Sequence, residues 1–265
     1  MALPLLALGY EIHCVANKIP FAGDRYRSLI IYQNLDQLYE AIRIHKDAAL
    51  FHVHNEPSWF VTAIKNAVGD KPVILDVHDS LLLRVDPDDE EHVRISIDER
   101  NNMQLADGLV FVSQPMAEIC RQEFKLNQPF LVLPSYVPKE FYRLDSWQWL
   151  GGVVYEGRVD LPSEISKEME FFSYCDYTKM AEEFKRYDIP FFLYTPRQDP
   201  AIEEYYKERA IWQGAYVYDK LIRKIGRHEW GLVGNYDLHP AWQYALPNKL
   251  FEYLAAGIPV VSFNA

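Results

Sequence analysis

Two short stretches place side chains able to do chemistry at strand spacing. In FHVHNEP, residues 51–57, His52 and His54 stand one residue apart in an apolar run, and Asn55, Glu56 and Pro57 follow. A strand's two-residue period puts both imidazoles on one face, as a metal site requires. In ILDVHDS, residues 74–80, Asp76, His78 and Asp79 close a second apolar run. A metal-dependent hydrolase using His52 and His54 would set its H-x-H at the first strand of a (β/α)8 barrel and add a catalytic carboxylate. A third stretch, ALPNKLFEYLAAGIPVVSFNA, residues 245–265, spaces Lys249 and Glu252 three apart, on one side of a helix. Asn248 is its expected N-cap and Gly257 its expected C′ residue, and Pro259 blocks continuation. By itself this third stretch reads as a well-capped helix with a surface ion pair.

The elements that must carry these residues follow an alternating pattern. Candidate strands EIHCVAN, ALFHVHN, PVILDVHD, GLVFVS and FLVLPS are separated by amphipathic stretches such as QNLDQLYEAIRIHK, PSWFVTAIKNAVG and QPMAEICRQEF. Near-continuous apolar strands between helices predict βαβ units and a parallel sheet covered on both faces. The alternation lapses in LPSYVPKEFYRLDSWQWL and restarts at GGVVYEGRVD. The expected fold is therefore α/β, with two tandem Rossmann-like domains, residues 1–147 and 148–265. Each domain would bind ligands at the carboxyl ends of its strands. The opening MALPLLALG lacks a basic region and runs into a strand, so it reads as the end of a helix, not a signal peptide. The chain opens in a helix and stops at a strand, and the expectation is a fragment lacking the first strand with its glycine turn and the C-terminal end.

Composition narrows the function classes. The 265 residues are 49% hydrophobic, enough for two cores, and the formal net charge of −11 with no basic run argues against a nucleic-acid partner. Cys14, Cys120 and Cys175 are far apart and lie in or beside apolar segments, which fits core packing in a reducing compartment. No apolar run approaches the ~20 residues of a membrane span, so no integral membrane segment is expected. VDPDDEEHVR, residues 85–94, lacks the glycine and ligand order of a calcium loop and reads as a solvated loop or helix start. Gly151 and Gly152 form no dinucleotide fingerprint. The 18 tyrosines and 6 tryptophans are expected mainly in the core.

The string P-N-K-L-F-E-Y-L-A-A-G-I-P-V-V, residues 247–261, resembles the donor-site helix of GT-B glycosyltransferases, especially the retaining enzymes of glycosyltransferase family 4. VVYEGRVD, FHVHNEP, VILDVHDS, ADGLVFVSQPM and LVLPSYVP match other segments of that family in the expected order, so the resemblance spans nearly the whole chain. It implies that Glu252 accepts hydrogen bonds from the ribose hydroxyls of a sugar nucleotide, a task suited to an acceptor-only carboxylate. It implies that Gly157 and Arg158 lead into the diphosphate site, where a guanidinium can grip phosphate oxygens two at a time. Lys249, with Asn248 beside it at the helix start, completes the donor-binding set, and His78, Arg158 and Lys249 are the catalytic candidates. His54, Asn55, Glu56, Asp79 and Tyr244 are candidates for the acceptor or sugar pocket, with Tyr236, His239 and Trp242 as further wall residues. His52 is expected either to pack within its strand or to be a polar residue at a strand edge.

The implied activity is transfer of a sugar from a nucleotide-sugar donor to a glycan or glycolipid acceptor with retention of configuration, with no cofactor and no metal. Tyr244 stands where many members carry a second carboxylate, and VDLPSEIS offers no basic residue after Arg158. These departures support an alternative, a catalytically degenerate GT-B module that binds nucleotide without transfer. A GT-B-fold sugar-nucleotide epimerase is a further alternative. The family's usual setting, polysaccharide or glycolipid assembly, implies a cytoplasmic protein with peripheral association at the inner membrane face.

Overall fold

The structure is a computed structural model that describes residues 2–19, 23–54, 57–83, 90–142, 149–162, 165, 175–196, 199–237 and 240–263. The chain divides into two compact units: Met1–Phe111 with Met116–Val132, and Val112–Pro115 with Leu133–Ala265. Sequence alone put the change of unit near residue 147, which lies outside the described residues. Residues 133–142 pack with the second unit because their aromatics find partners there. Tyr136 meets Phe251 edge-on at 5.2 Å, and Phe141 meets Tyr218 at 5.5 Å.

In the first unit, α1 (Ala2–Ala7) precedes β1 (His13–Ala16) and β2 (Ser28–Ile31), which pair in parallel. Then come α2 (Leu35–Ile44), β3 (Phe51–His54), α3 (Phe60–Val68), β4 (Val73–Val77), α4 (Glu90–Leu105), β5 (Gly108–Phe111), α5 (Gln114–Phe124) and β6 (Phe130–Val132). Strands β3 to β6 form an all-parallel sheet in sequential order. Helix α2 starts where the Asn34 side chain accepts the Gln37 N–H at 3.0 Å, and it buries Leu38, Ala41 and Ile42, the spacing of one helical face. Strand β4 is buried almost throughout. Of the acidic stretch at residues 85–94, residues 85–89 lie outside the described residues, and Glu90 and Glu91 fall in the first turn of α4, the favourable end of the helix dipole.

The second unit runs β7 (Val153–Glu156), α6 (Thr178–Arg186), β8 (Phe191–Tyr194), α7 (Pro200–Lys207), β9 (Ile211–Trp212), α8 (Tyr218–Ile225), β10 (Trp230–Gly234), α9 (Asn248–Ala255) and β11 (Val260–Phe263). Its sheet has the order β11-β10-β7-β8-β9, all parallel. Alternate residues of one strand serve opposite layers. Val153, Tyr155, Phe191 and Leu193 pack with Met180 of α6 and Ile202 and Tyr206 of α7. Val154, Phe192 and Tyr194 pack with Ile222 and Ile225 of α8 and Tyr253 of α9. Both faces are thus covered, as the apolar strand sequences predict. The pairs β1-β2 and β8-β9 depend on β2 and β9, two short strands the sequence reading did not include.

Helix α9 begins at Asn248 itself, with Pro247 as its N-cap and no side-chain cap hydrogen bond. The expected capping role of Asn248 is therefore not realised: proline's fixed φ ends the preceding extended segment, and Asn248 occupies the first helical position. At the other end Ala256 is the C-cap and Gly257 follows at φ +78°, as expected of a C′ glycine. Two glycines of β10 let α9 and β11 approach closely. Gly231 lies flat against the Tyr253 ring, and at Gly234, φ +97°, a Cβ would collide with the Phe263 carbonyl oxygen. Gly234→Ala is expected to destabilise the second unit by about 2 kcal/mol or more, combining left-handed strain with a backbone collision. Urea unfolding followed by tryptophan fluorescence would read this, and an unchanged midpoint would refute the close approach.

Candidate functional site

Each unit collects polar residues where its central strands end. In the first unit, β3 and β4 pair with His52 opposite Ile74 and His54 opposite Asp76. This register, with the two-residue period, puts His52, His54 and Asp76 on one face, and His78 comes two residues beyond Asp76. Asp76 is buried and is the hub. His78 Nε2 lies 3.3 Å from its Oδ1, and His54 Nδ1 and His52 Nε2 lie 3.5 and 3.8 Å from its Oδ2. Burial works against the Asp76 charge, but hydrogen bonding to His78 and the three nearby imidazoles hold its carboxyl below the ordinary range. Hydrogen bonding to Asp76 raises His78, against desolvation and with further help from Asp79. His52 is pushed the other way, to about 4, by desolvation and then by His54. His54 is also lowered, by desolvation on this face and against the pull of Asp76.

The turn after His78 is fixed from below. Glu99 of α4, buried, accepts the Ser80 hydroxyl at 2.9 Å and the backbone N–H groups of Leu81 and Leu82 at 3.0 and 3.1 Å. A carboxylate taking three donors locks the loop that leaves the catalytic candidate.

In the second unit the period of β7 sends Glu156 to the same side as Val154, towards α8 and α9. There it meets Glu252 of α9. Burial, then the hydrogen bond and charge of Glu252, hold Glu156 well above the ordinary carboxylate range, with Lys249 opposing, so Glu156 keeps its proton. The Tyr218 phenol is raised by burial and by the charge of Glu252, to which it also hydrogen-bonds. The Glu156 backbone N–H donates to the Tyr253 hydroxyl at 3.0 Å, tying β7 to α9.

Gly157 follows at φ +140°, where a Cβ would come within 2.9 Å of the Tyr155 hydroxyl and 3.4 Å of Lys249 Cε. A side chain there would fill the space between strand end and helix. The Lys249 ammonium lies 5.3 Å from the Tyr155 ring centre and 5.8 Å from that of Trp242. Arg158 sends Nε to both oxygens of buried Asp160 at 2.9 and 3.1 Å.

The structure thus gathers Gly157, Lys249 and Glu252 at one strand end of the second unit, with Arg158 next in sequence, and gathers His54, His78 and Asp79 in the first. Asn248 lies exposed at the start of α9. Tyr244 follows the 3₁₀ turn Pro240–Gln243, which carries Trp242. Tyr236 packs against Phe263 at 4.6 Å and beneath Lys179 at 4.1 Å. Asn55, Glu56 and His239 lie outside the described residues. His52 is not plain packing, since its Nε2 is buried without a hydrogen-bond partner and faces Asp76. Sequence reading missed Glu156, Asp160, Tyr218 and Tyr253 and left Asp76 without a role. Their common signal is a polar residue at, or just after, the end of an apolar strand, or a tyrosine on the inner face of a helix.

Open parallel sheets flanked by helices exclude the barrel hydrolase and define the class: this is a GT-B glycosyltransferase fold. Solved structures that share it include sucrose-phosphate synthase from Thermosynechococcus elongatus, at TM-score 0.60 and 14% identity over 97% of this chain and 72% of that one. Anabaena HepE, solved in complex with UDP and glucose, aligns at TM-score 0.61 and 12% identity over 92% of this chain and 70% of its own. AviGT4, a glycosyltransferase involved in avilamycin A biosynthesis, aligns at 0.54 and 14% identity, covering 98% and 68%. The profile of Glycosyltransferase Family 4 matches residues 5–141, just over half of the chain, and the chain belongs to that family. No curated protein matches the sequence.

The first-unit cluster makes a signed pH prediction. The His78 imidazolium is stabilised by Asp76, so the stability of this pair is complete below the ordinary imidazole value of 6.5 and is lost as pH rises through the higher folded value. Asp76→Asn should move the His78 midpoint, followed by NMR titration, down towards or below the ordinary value. A midpoint that stays raised would mean that Asp76 is not its partner.

Proposed function

We propose that the protein transfers a sugar from a nucleotide-sugar donor to a glycan or glycolipid acceptor with retention of anomeric configuration. The observation that carries this reading is the grouping at the start of α9. Lys249 stands beside Gly157, just after β7, and Glu252 meets Glu156, the last residue of β7, on a helix tied to that strand through Tyr253. Family membership and the complex of HepE with UDP and glucose support a nucleoside-diphosphate sugar as donor.

Glu252 would accept the ribose hydroxyls, while Glu156 and Tyr218 steady its carboxylate. Lys249 and Arg158 would stabilise the negative charge that develops on the departing diphosphate, which is electrostatic catalysis at the point of need. The bond from the anomeric carbon to the phosphate oxygen breaks with its electron pair going to that oxygen. The acceptor hydroxyl oxygen bonds to the same face, and its proton passes to the phosphate. His78 would hydrogen-bond sugar hydroxyls or offset charge near the anomeric centre, with His54, Asp79 and Tyr244 as pocket candidates. This chemistry asks for no metal in the transfer step and no covalent carboxylate intermediate. The family's usual settings support a place at the inner membrane face. Among the described residues no helix is long and apolar enough to cross a membrane.

Calorimetric titration of UDP, GDP and ADP into the purified chain tests the donor site. One nucleotide should bind, and Glu252→Ala should weaken it about tenfold or more, the loss of ~1.4 kcal/mol or more expected for a hydrogen bond to a charged group. Equal affinity in the variant would remove Glu252 from the site. Binding without sugar transfer in an assay supplied with acceptors would favour the degenerate module, and an altered sugar nucleotide formed without acceptor would favour the epimerase.

A further inference from the structure

The polar face of β3 and β4 contains more than the proposed sugar transfer uses. His52 Nε2 is buried, makes no hydrogen bond among the described residues, and stands 3.8 Å from Asp76 Oδ2. A buried ring nitrogen left in this way calls for an explanation, and a bound ion is one. His54 Nδ1 converges on the same oxygen from 3.5 Å, and the two rings stand nearly perpendicular with centres 4.7 Å apart.

We propose that His52 Nε2, His54 Nδ1 and Asp76 Oδ2 form a site for a divalent transition-metal cation, with zinc the best match to its donors. One ligand atom from each of the three residues lies within 4.8 Å of the others. Tetrahedral zinc, with bonds of about 2.0–2.2 Å, spaces its donors roughly 3.3 Å apart. Both contacts to Asp76, at 3.5 and 3.8 Å, are close to that spacing already. Two imidazoles and a carboxylate suit zinc better than magnesium or calcium, which prefer oxygen alone. The remaining Asp76 oxygen, Oδ1, is engaged by His78 at 3.3 Å, and such an outer partner fixes the orientation of a ligating carboxylate. All three ligands sit on paired strands, whose register holds them in place, and the exposed His54 ring leaves an entry route from solvent.

The test uses chelator-treated, dialysed protein titrated with zinc by calorimetry, with magnesium as a parallel titrant. One equivalent of zinc should bind and magnesium should not. His52→Ala and His54→Ala should each weaken zinc binding at least about tenfold, with circular dichroism confirming that both fold. In the unaltered protein, zinc should shift the imidazole NMR signals of His52 and His54, a reading that does not depend on any variant. His13 and His45, whose rings lie 4.5 Å apart beside half-buried Cys14, are the internal control. Three results would overturn the proposal: no stoichiometric zinc, binding that survives both substitutions, or shifts confined to His13 and His45.

Discussion

A parallel strand buried on both faces has no tolerance for polar side chains until it ends. This constraint organises the central strands of both units, while β3, at the edge of its sheet, carries His52 within the strand. Strand β4 stays buried from Val73 onwards and admits Asp76 only one residue before its end, and β7 admits Glu156 only as its last residue. Helices cover the rest of each sheet, so the chemistry collects where the strands give way to turns. The fold does not host these residues at arbitrary positions, because elsewhere their desolvation would go uncompensated.

The two strand-end carboxyls show how environment sets their state. Asp76 is surrounded by imidazoles, which draw its proton away despite burial. Glu156 faces another carboxylate, and burial together with that like-charged neighbour keeps it neutral. The same functional group at the same topological position is an anion in one unit and a hydrogen-bond donor in the other. The difference lies in the facing element: a strand bearing histidines beside Asp76, a helix bearing Glu252 beside Glu156.

The fold class was legible in the sequence because buried parallel strands write long apolar runs, and the helices between them keep their period. Strand β9 was not, since two residues leave no periodic signal, and β2 was passed over although it is as long as β3, β5 and β7. The motif around Lys249 and Glu252 was legible as a string, and Gly257 met its expected role. Glu156 and Tyr218 were missed because the contacts that give them a role join residues far apart in sequence. Asp76 was visible but had no meaning until the register set it opposite His54. His52 is a polar residue on the edge strand β3, one of its two expected readings, and the register adds that its ring nitrogen is directed at a carboxylate.

The tie between Tyr253 and the end of β7 has a thermodynamic consequence for recognition. Helix α9 rests on Gly231 without an intervening side chain and is fastened to Glu156 by a hydrogen bond. Lys249 and Glu252 are therefore carried on a helix whose position is fixed by the sheet, not on a loop that must settle as a ligand arrives. Little conformational freedom of this backbone remains to be lost on binding, and more of the interaction free energy is retained as affinity.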